Sequence, residues 1–248
     1  MKAMILTAGL GTRLKPLTDK YPKPLIPVGG VTMLDISLAF LQKHGINQFI
    51  VNVHHLADQL MEFVAQKRWE GLQIEISDET GQLMDTGGGL QKAQWFFNSE
   101  TDFVLTASDV LTDLNLSEMI KFHKETHALA TLAVKERETS RNLLFDNSGQ
   151  LAGWKNNQTG EIIQVPGKST SKALGFSGIH VINAKLFNKL TESGAFSIVQ
   201  AYLRLAATEK IMGFDHSNSK WMEFGRINNI EGAAKNTDFI ELLSKLGF

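Results

Sequence analysis

Leu6-Thr7-Ala8-Gly9-Leu10-Gly11-Thr12-Arg13-Leu14-Lys15-Pro16-Leu17-Thr18, with Pro22-Lys23-Pro24-Leu25 close behind, is the stretch that decides how the rest of this chain is read. The apolar run Ala3-Met4-Ile5-Leu6 precedes it. The glycine turn therefore begins where a first parallel strand ends, the edge at which open α/β sheets hold their ligands. Gly9 and Gly11 carry no Cβ and let the backbone close on a phosphate, and successive N–H groups in such a turn form an anion-binding concavity. Two cations sharpen this reading: Arg13 is suited to fork two phosphate oxygens, and Lys23 supplies a compact charge from a proline-stiffened loop. A dinucleotide-binding turn wants a third small residue where Arg13 stands, and a Walker loop wants four residues between its glycines before Gly-Lys-Ser/Thr. Both of those readings fail.

The chain has 248 residues, for which one α/β domain with insertions is the economical expectation. Its formal net charge of −1 leaves no basic field for nucleic acid, so phosphate binding has to be local. There is no cysteine, which removes disulfides and thiolate zinc sites. The first residues enter a strand rather than a secretory leader, and no apolar run approaches twenty residues. A cytoplasmic protein without membrane contact is the expectation.

Outward from the signature, Thr32 is placed to cap a helix carrying Leu34, Leu38 and Leu41, which Gly45 ends. Residues 48–53 read as a strand with Asn52, His54 and His55 at its carboxyl end; lacking a nearby carboxylate, the histidines shape the strand end rather than hold a metal. Residues 56–67 read as an amphipathic helix and 72–76 as an alternating strand. Strand, helix, strand, helix, strand predicts a parallel, doubly wound sheet.

The triple glycine of Asp85-Thr86-Gly87-Gly88-Gly89-Leu90 opens a helix and requires that something approach its backbone. Residues 102–110 read as a buried strand ending in Asp109, placed to hold Mg2+, with Asp113 capping the helix that starts near Leu116. His123 and His127 fall on what reads as a solvated helix face, and the glutamate between them is misplaced for a zinc motif. From residue 129 the pattern turns to short strands at 130–134, 142–146 and 151–154, with a hairpin turn at 147–149 and a polar loop at 156–171. Residues 173–181 form another strand, and helices are expected at 196–207 and 228–246.

The signature, Gly-x-Gly-Thr-Arg-Leu-x-Pro-Leu-Thr followed by Pro-Lys-Pro-Leu, resembles that of the sugar-1-phosphate nucleotidylyltransferases over its whole length. The resemblance implies a Rossmann-like, doubly wound, mixed but mostly parallel sheet with a small antiparallel substrate-binding lid. It places the nucleotide on about residues 1–128 and the sugar on about 129–248 of a single domain. It implies coupling of an NTP to a sugar 1-phosphate with release of pyrophosphate. Ala8, Gly9, Gly11 and Thr12 are then expected to bind the nucleotide with Thr86, Gly87 and Gly88, and Ser177 and Gly178 the sugar. Arg13 falls on the departing pyrophosphate, and Lys23 on the α-phosphate or the incoming sugar phosphate. Asp109 and Glu223 become the Mg2+ ligands.

The form Thr-Gly-Gly-Gly looks most like bacterial uridylyltransferases acting on N-acetylmuramic acid 1-phosphate, which makes UTP the expected nucleotide. Guanylyltransferases for mannose or heptose phosphates share most of the frame. Ser108 stands where the family writes glycine, and Glu223 and Arg226 where it writes aspartate and threonine. Those departures keep open a catalytically reduced subunit that senses nucleotide sugars. Monomer and homo-oligomer remain equally open, since no long heptad pattern marks an interface.

Overall fold

The computed structural model describes residues 1–66 and 71–248. β1 (Lys2–Leu6) buries Ala3, Met4 and Ile5 completely and runs into the signature turn. A short ribbon, β2 (Pro27–Val28) and β3 (Val31–Thr32), leads to α1 (Met33–Lys43), whose first turn is capped as expected by the Thr32 side chain accepting the Asp35 N–H. β4 (Gln48–Val53), α2 (Ala57–Gln66), β5 (Gln73–Asp78), α3 (Asp85–Lys92) and β6 (Asp102–Ala107) follow. The expected α2 helix runs to residue 67, which lies outside the described residues. β1 lies between β4 and β6, with β5 outside β4, all parallel. Their carboxyl ends therefore share one rim, and the signature turn lies on it.

The strand expected over 102–110 stops at Ala107, and β7 (Val110–Thr112) leaves the sheet. α4 (Leu116–Thr126) is capped by Asn115, whose side chain accepts the Glu118 N–H. Asp113 is not the cap: its carboxylate accepts the Lys220 N–H at 2.8 Å and pairs with Lys245 at 3.0 Å, tying this corner to the end of the chain.

The second half adds β8 (Ala130–Lys135), β9 (Arg141–Phe145), β10 (Leu151–Asn156), β11 (Ile162–Gln164), β12 (Lys172–Asn183), α5 (Ile198–Leu205), β13 (Ile211–Asp215), β14 (Trp221–Glu223), α6 (Ile227–Glu231) and α7 (Thr237–Leu246). The antiparallel strands extend the main sheet through β12, which pairs β9 at one end and β6 at the other, with β8 and then β13 branching from it. Among the described residues this makes a ten-stranded sheet. β11 lies inside the segment read as loop, β13 was not anticipated, and the last expected helix is interrupted by a turn at Ala233–Lys235.

Three apolar clusters hold the layers. One face of the sheet packs α5 and stacked Phe97, Phe103 and Phe187, the first two with ring centroids 4.1 Å apart. Leu34, Leu38, Leu60 and Met119 cover the other face. The third cluster joins Leu14 of the signature to Ile26, Leu111, Phe224 and Phe239, so the glycine turn and the C-terminal helix rest on one small core.

His123 is buried rather than solvated, with Nδ1 2.9 Å from the Thr131 hydroxyl and Nε2 3.4 Å from Asp102. Burial lowers its pKa and the Asp102 charge opposes that shift. His180, fully buried against Tyr202, is lowered by burial to about 3, and His216 to about 4 by burial and then by the Lys135 charge. Between those values and the unfolded value of 6.5, the folded chain binds fewer protons than the unfolded one. The stability contributed by the neutral rings is complete above 6.5 and is lost as pH falls from there toward 4. We expect Tm to drop by on the order of 5 °C between pH 7 and pH 4.5, and by less in His216→Asn. A flat Tm profile over that range would remove this role from the histidines.

Candidate active site

Gly11 adopts φ +61, and a Cβ there would lie 2.7 Å from Thr18 Cγ2 and 3.3 Å from Lys23 Cβ, so the two halves of the signature close against each other at this residue. The Thr18 hydroxyl donates to the Gly11 carbonyl at 3.1 Å. Beyond it, Thr12, Arg13 and Leu14 form one 3-10 turn, which buries Leu14 and leaves Arg13 exposed on the rim. Gly9 has open space where a Cβ would stand. The turn thus presents bare backbone to a cleft of about 420 Å3 lined by Ala8, Gly9, Lys23, Thr86, Ser108 and Asp109.

A buried amide fixes the turn to its neighbours. Asn52 Oδ1 accepts the Thr7 N–H at 2.7 Å and the Ala8 N–H at 3.3 Å, while Nδ2 donates to Glu79 Oε1 at 2.8 Å. Glu79, fully buried, uses Oε2 to accept the Met84 N–H at 3.1 Å. Asn52 and Glu79 thereby couple the signature to the loop that carries Thr86. Sequence reading put Asn52 at the strand end without this role and passed over Glu79. A carboxylate just beyond a strand, beside a buried Asn, was the available signal.

The triple glycine is required by close approach, but what approaches is this chain. A Cβ on Gly87 would overlap the Phe196 ring, one on Gly88 the Gly194 carbonyl, and one on Gly89 would lie 2.6 Å from Glu79 Oε1. Gly87 and Gly88 face inward, and both N–H groups point to the Phe196 carbonyl; Thr86 alone of the expected trio lines the cleft. Gly87→Ala is expected to cost about 1–3 kcal/mol through overpacking, read as a lower Tm. Unchanged Tm would show that Phe196 yields freely.

The carboxylates expected to act together are together. β14 pairs antiparallel with β7, aligning Glu223 with Val110, and the Phe224 N–H donates to the Asp109 carbonyl at 2.9 Å. A Cβ on Gly225 would overlap Glu223 Oε1 and lie 3.3 Å from Asp109 Oδ2 and 3.1 Å from Arg13 Nη2, so both acids and Arg13 surround one point. Lys23 Nζ is 2.5 Å from Asp109 Oδ2 and Arg13 is 3.6 Å from Glu223. Each acid therefore faces a cation from the signature. Two carboxylate oxygens converging beside a phosphate-binding turn suit Mg2+, which takes one or two carboxylates and fills its remaining positions with substrate phosphates and water.

Ser177 and Gly178 do not line the cleft. Ser177 is fully buried, its hydroxyl 2.7 Å from His216 Nε2 and its carbonyl accepting the Trp221 indole N–H at 3.1 Å. Gly178, at φ +79, forms a bulge where β12 shifts register against β8, and a Cβ there would meet Ala107 at 3.2 Å. Ser177 thereby anchors Trp221, which lines a separate cavity of about 950 Å3 together with Arg13 and Glu223. Against that indole lies Arg137, its guanidinium carbon 4.2 Å from the ring centroid, a residue the sequence reading did not single out.

The description "Nucleotidyl transferase" fits the family model that matches residues 2–238. The chain belongs to the nucleotidyl transferase family. It is 39% identical over 145 residues to a UTP–glucose-1-phosphate uridylyltransferase of Synechocystis, covering 54% of this chain but only 37% of that relative. Along nearly the full length of both chains, 94% and 96%, it is 26% identical to an N-acetylmuramate alpha-1-phosphate uridylyltransferase of Neisseria meningitidis. The inositol-1-phosphate CTP transferase from T. maritima shares the fold with a TM-score of 0.75 and 18% identity, covering 99% of this chain and 95% of that one. The expected Rossmann-like, mostly parallel architecture is thus this nucleotidyl transferase family's own. No helix among the described residues is long and apolar enough to cross a membrane.

Proposed function

We propose that this family member couples an NTP to a sugar 1-phosphate, forming an NDP-sugar and pyrophosphate, with UTP and N-acetylmuramate 1-phosphate as substrates. The observation that carries the reaction is the meeting of Asp109, Glu223 and Arg13 around one point beside the open glycine turn. Similarity over nearly the whole length of the Neisseria uridylyltransferase supports the choice of substrates.

The second pKa of a sugar phosphate lies near 6, so at neutral pH the attacking oxygen is already anionic and needs no general base. That oxygen forms the new bond to the nucleotide α-phosphorus, while the bond from the α-phosphorus to the bridging oxygen breaks and its electron pair leaves with pyrophosphate. The protein's task is positioning and charge neutralisation. Ala8, Gly9, Gly11 and Thr12 hold the triphosphate on the turn, and Thr86 borders the nucleoside. Lys23 receives the α-phosphate and Arg13 the departing pyrophosphate. Mg2+, held by Asp109 and Glu223, would neutralise and template the reacting phosphates. Glu223 is longer than the usual aspartate but reaches the same point from a strand stitched to Asp109. A cytoplasmic setting suits such substrates.

Pyrophosphate release decides this, measured with UTP, GTP, CTP, ATP and dTTP against N-acetylmuramate, mannose, heptose and glucose 1-phosphates, with and without Mg2+. Mg2+-dependent release with UTP and N-acetylmuramate 1-phosphate is expected. Release with another pair replaces the substrates, and bound nucleotide without release from any pair overturns the enzymatic reading.

A further inference from the structure

Arg137 follows β8 and is held on three sides. Its Nη2 donates to the Phe176 carbonyl at 2.8 Å, its guanidinium carbon lies over the Trp221 indole, and Gly175 leaves it room, since a Cβ there would stand 2.9 Å from both Cγ and Nε. Trp221 is itself anchored to the Ser177 carbonyl. The guanidinium is thus preorganised, yet it is poorly satisfied. Among the described residues, the buried Nε–H has no acceptor. Burial lowers its pKa and the nearby Glu223 charge opposes that shift. A fixed cation with unused donors is what an anionic ligand completes.

Its position identifies the anion. Arg137 lines two adjoining cavities: one of about 950 Å3 that also contains Arg13, Trp221 and Glu223, and one of about 560 Å3 walled by Asn142, Trp154, Phe176 and Gln200. The second offers aromatic and amide groups of the kind that hold a sugar ring. Arg137 does not line the cleft of the glycine turn, and its second cavity shares no lining residue with that cleft. We infer that Arg137 receives the phosphate of the sugar 1-phosphate, holding it between the sugar cavity and the Asp109–Glu223 pair. This assignment rests on the functional reading above and names the residue that presents the attacking group.

The test compares Arg137→Met, Arg137→Lys and Gly175→Ala with the wild type in steady-state kinetics, using the sugar 1-phosphate that supports turnover and inorganic phosphate as competitor against it. Arg137→Met should raise the KM for the sugar 1-phosphate about 10- to 100-fold and weaken phosphate inhibition in proportion, leaving the KM for the NTP within about twofold. Arg137→Lys should recover only part of the loss, because an ammonium cannot fork. Gly175→Ala, which keeps the charge but displaces the arm, should raise the same KM and provides a second readout should Arg137→Met fold poorly. An unchanged KM, an equal rise in the NTP KM, or a raised sugar-phosphate KM with unchanged phosphate inhibition would overturn the assignment. A wild type that releases no pyrophosphate with any sugar 1-phosphate instead overturns the functional reading. Calorimetric binding of inorganic phosphate to wild type and Arg137→Met then decides by itself whether Arg137 is an anion site.

Discussion

Asp109→Asn should lower kcat for pyrophosphate release by about 10²- to 10³-fold and abolish the response to Mg2+. The amide keeps the shape of the carboxylate but lacks the charge that, with Glu223, faces the point beside Gly225. Asp109 is nearly buried and its only ion pair among the described residues is with Lys23, so the substitution also frees that ammonium for phosphate. Nucleotide affinity should therefore hold or improve while turnover collapses, a split that calorimetry and kinetics together resolve. Asp113→Asn is the matching control: its carboxylate serves Lys220 and Lys245, and its rate should stay within about twofold of wild type. A near-normal rate with intact Mg2+ dependence in Asp109→Asn would take the metal role from this residue.

Arg13→Ala should be almost as damaging to turnover, about 10²-fold or more, with stability unchanged to within about 0.5 kcal/mol. The side chain is 61% exposed and its one ion pair among the described residues, to Glu223, is long at 3.6 Å, so little of the fold depends on it. The reverse reaction offers the sharper readout. If Arg13 receives pyrophosphate, the KM for pyrophosphate rises more than that for the NDP-sugar, and Arg13→Lys restores only part of the loss. Equal effects on both substrates would move Arg13 to a general electrostatic role.

The parallel half of the fold was legible because each element announces itself locally. β1 and β4 are near-continuous apolar runs, α1 and β5 carry clean apolar periods, and Thr32 and Gly45 mark the ends of a helix. β11 and β13 were hidden because three exposed residues and a glycine-interrupted run carry no such period; their partners, β10 and β8, supply the reason they are strands. His123 was misjudged although the signal existed, since it continues the buried stripe of Leu116 and Met119. The triple glycine shows where inference from composition stops. It announces close approach without naming the neighbour, and here the neighbours are Phe196, Gly194 and Glu79. Arg137 had no local mark at all, because what distinguishes it is contact with Trp221 and Gly175, residues far along the chain.

The two acidic residues are joined through main chain, by the short β7–β14 ladder and the Phe224 N–H on the Asp109 carbonyl, and α7 fastens that ladder from outside through Lys220, Glu241 and Lys245. One acid becomes available with the parallel strands, the other only when the last segment of the chain has docked. A growing or proteolytically clipped chain lacking that segment would carry the glycine turn but only half of the acid pair. The two carboxylates thus meet only once residues 221–223 have paired with β7, more than a hundred positions after Asp109 in chain order.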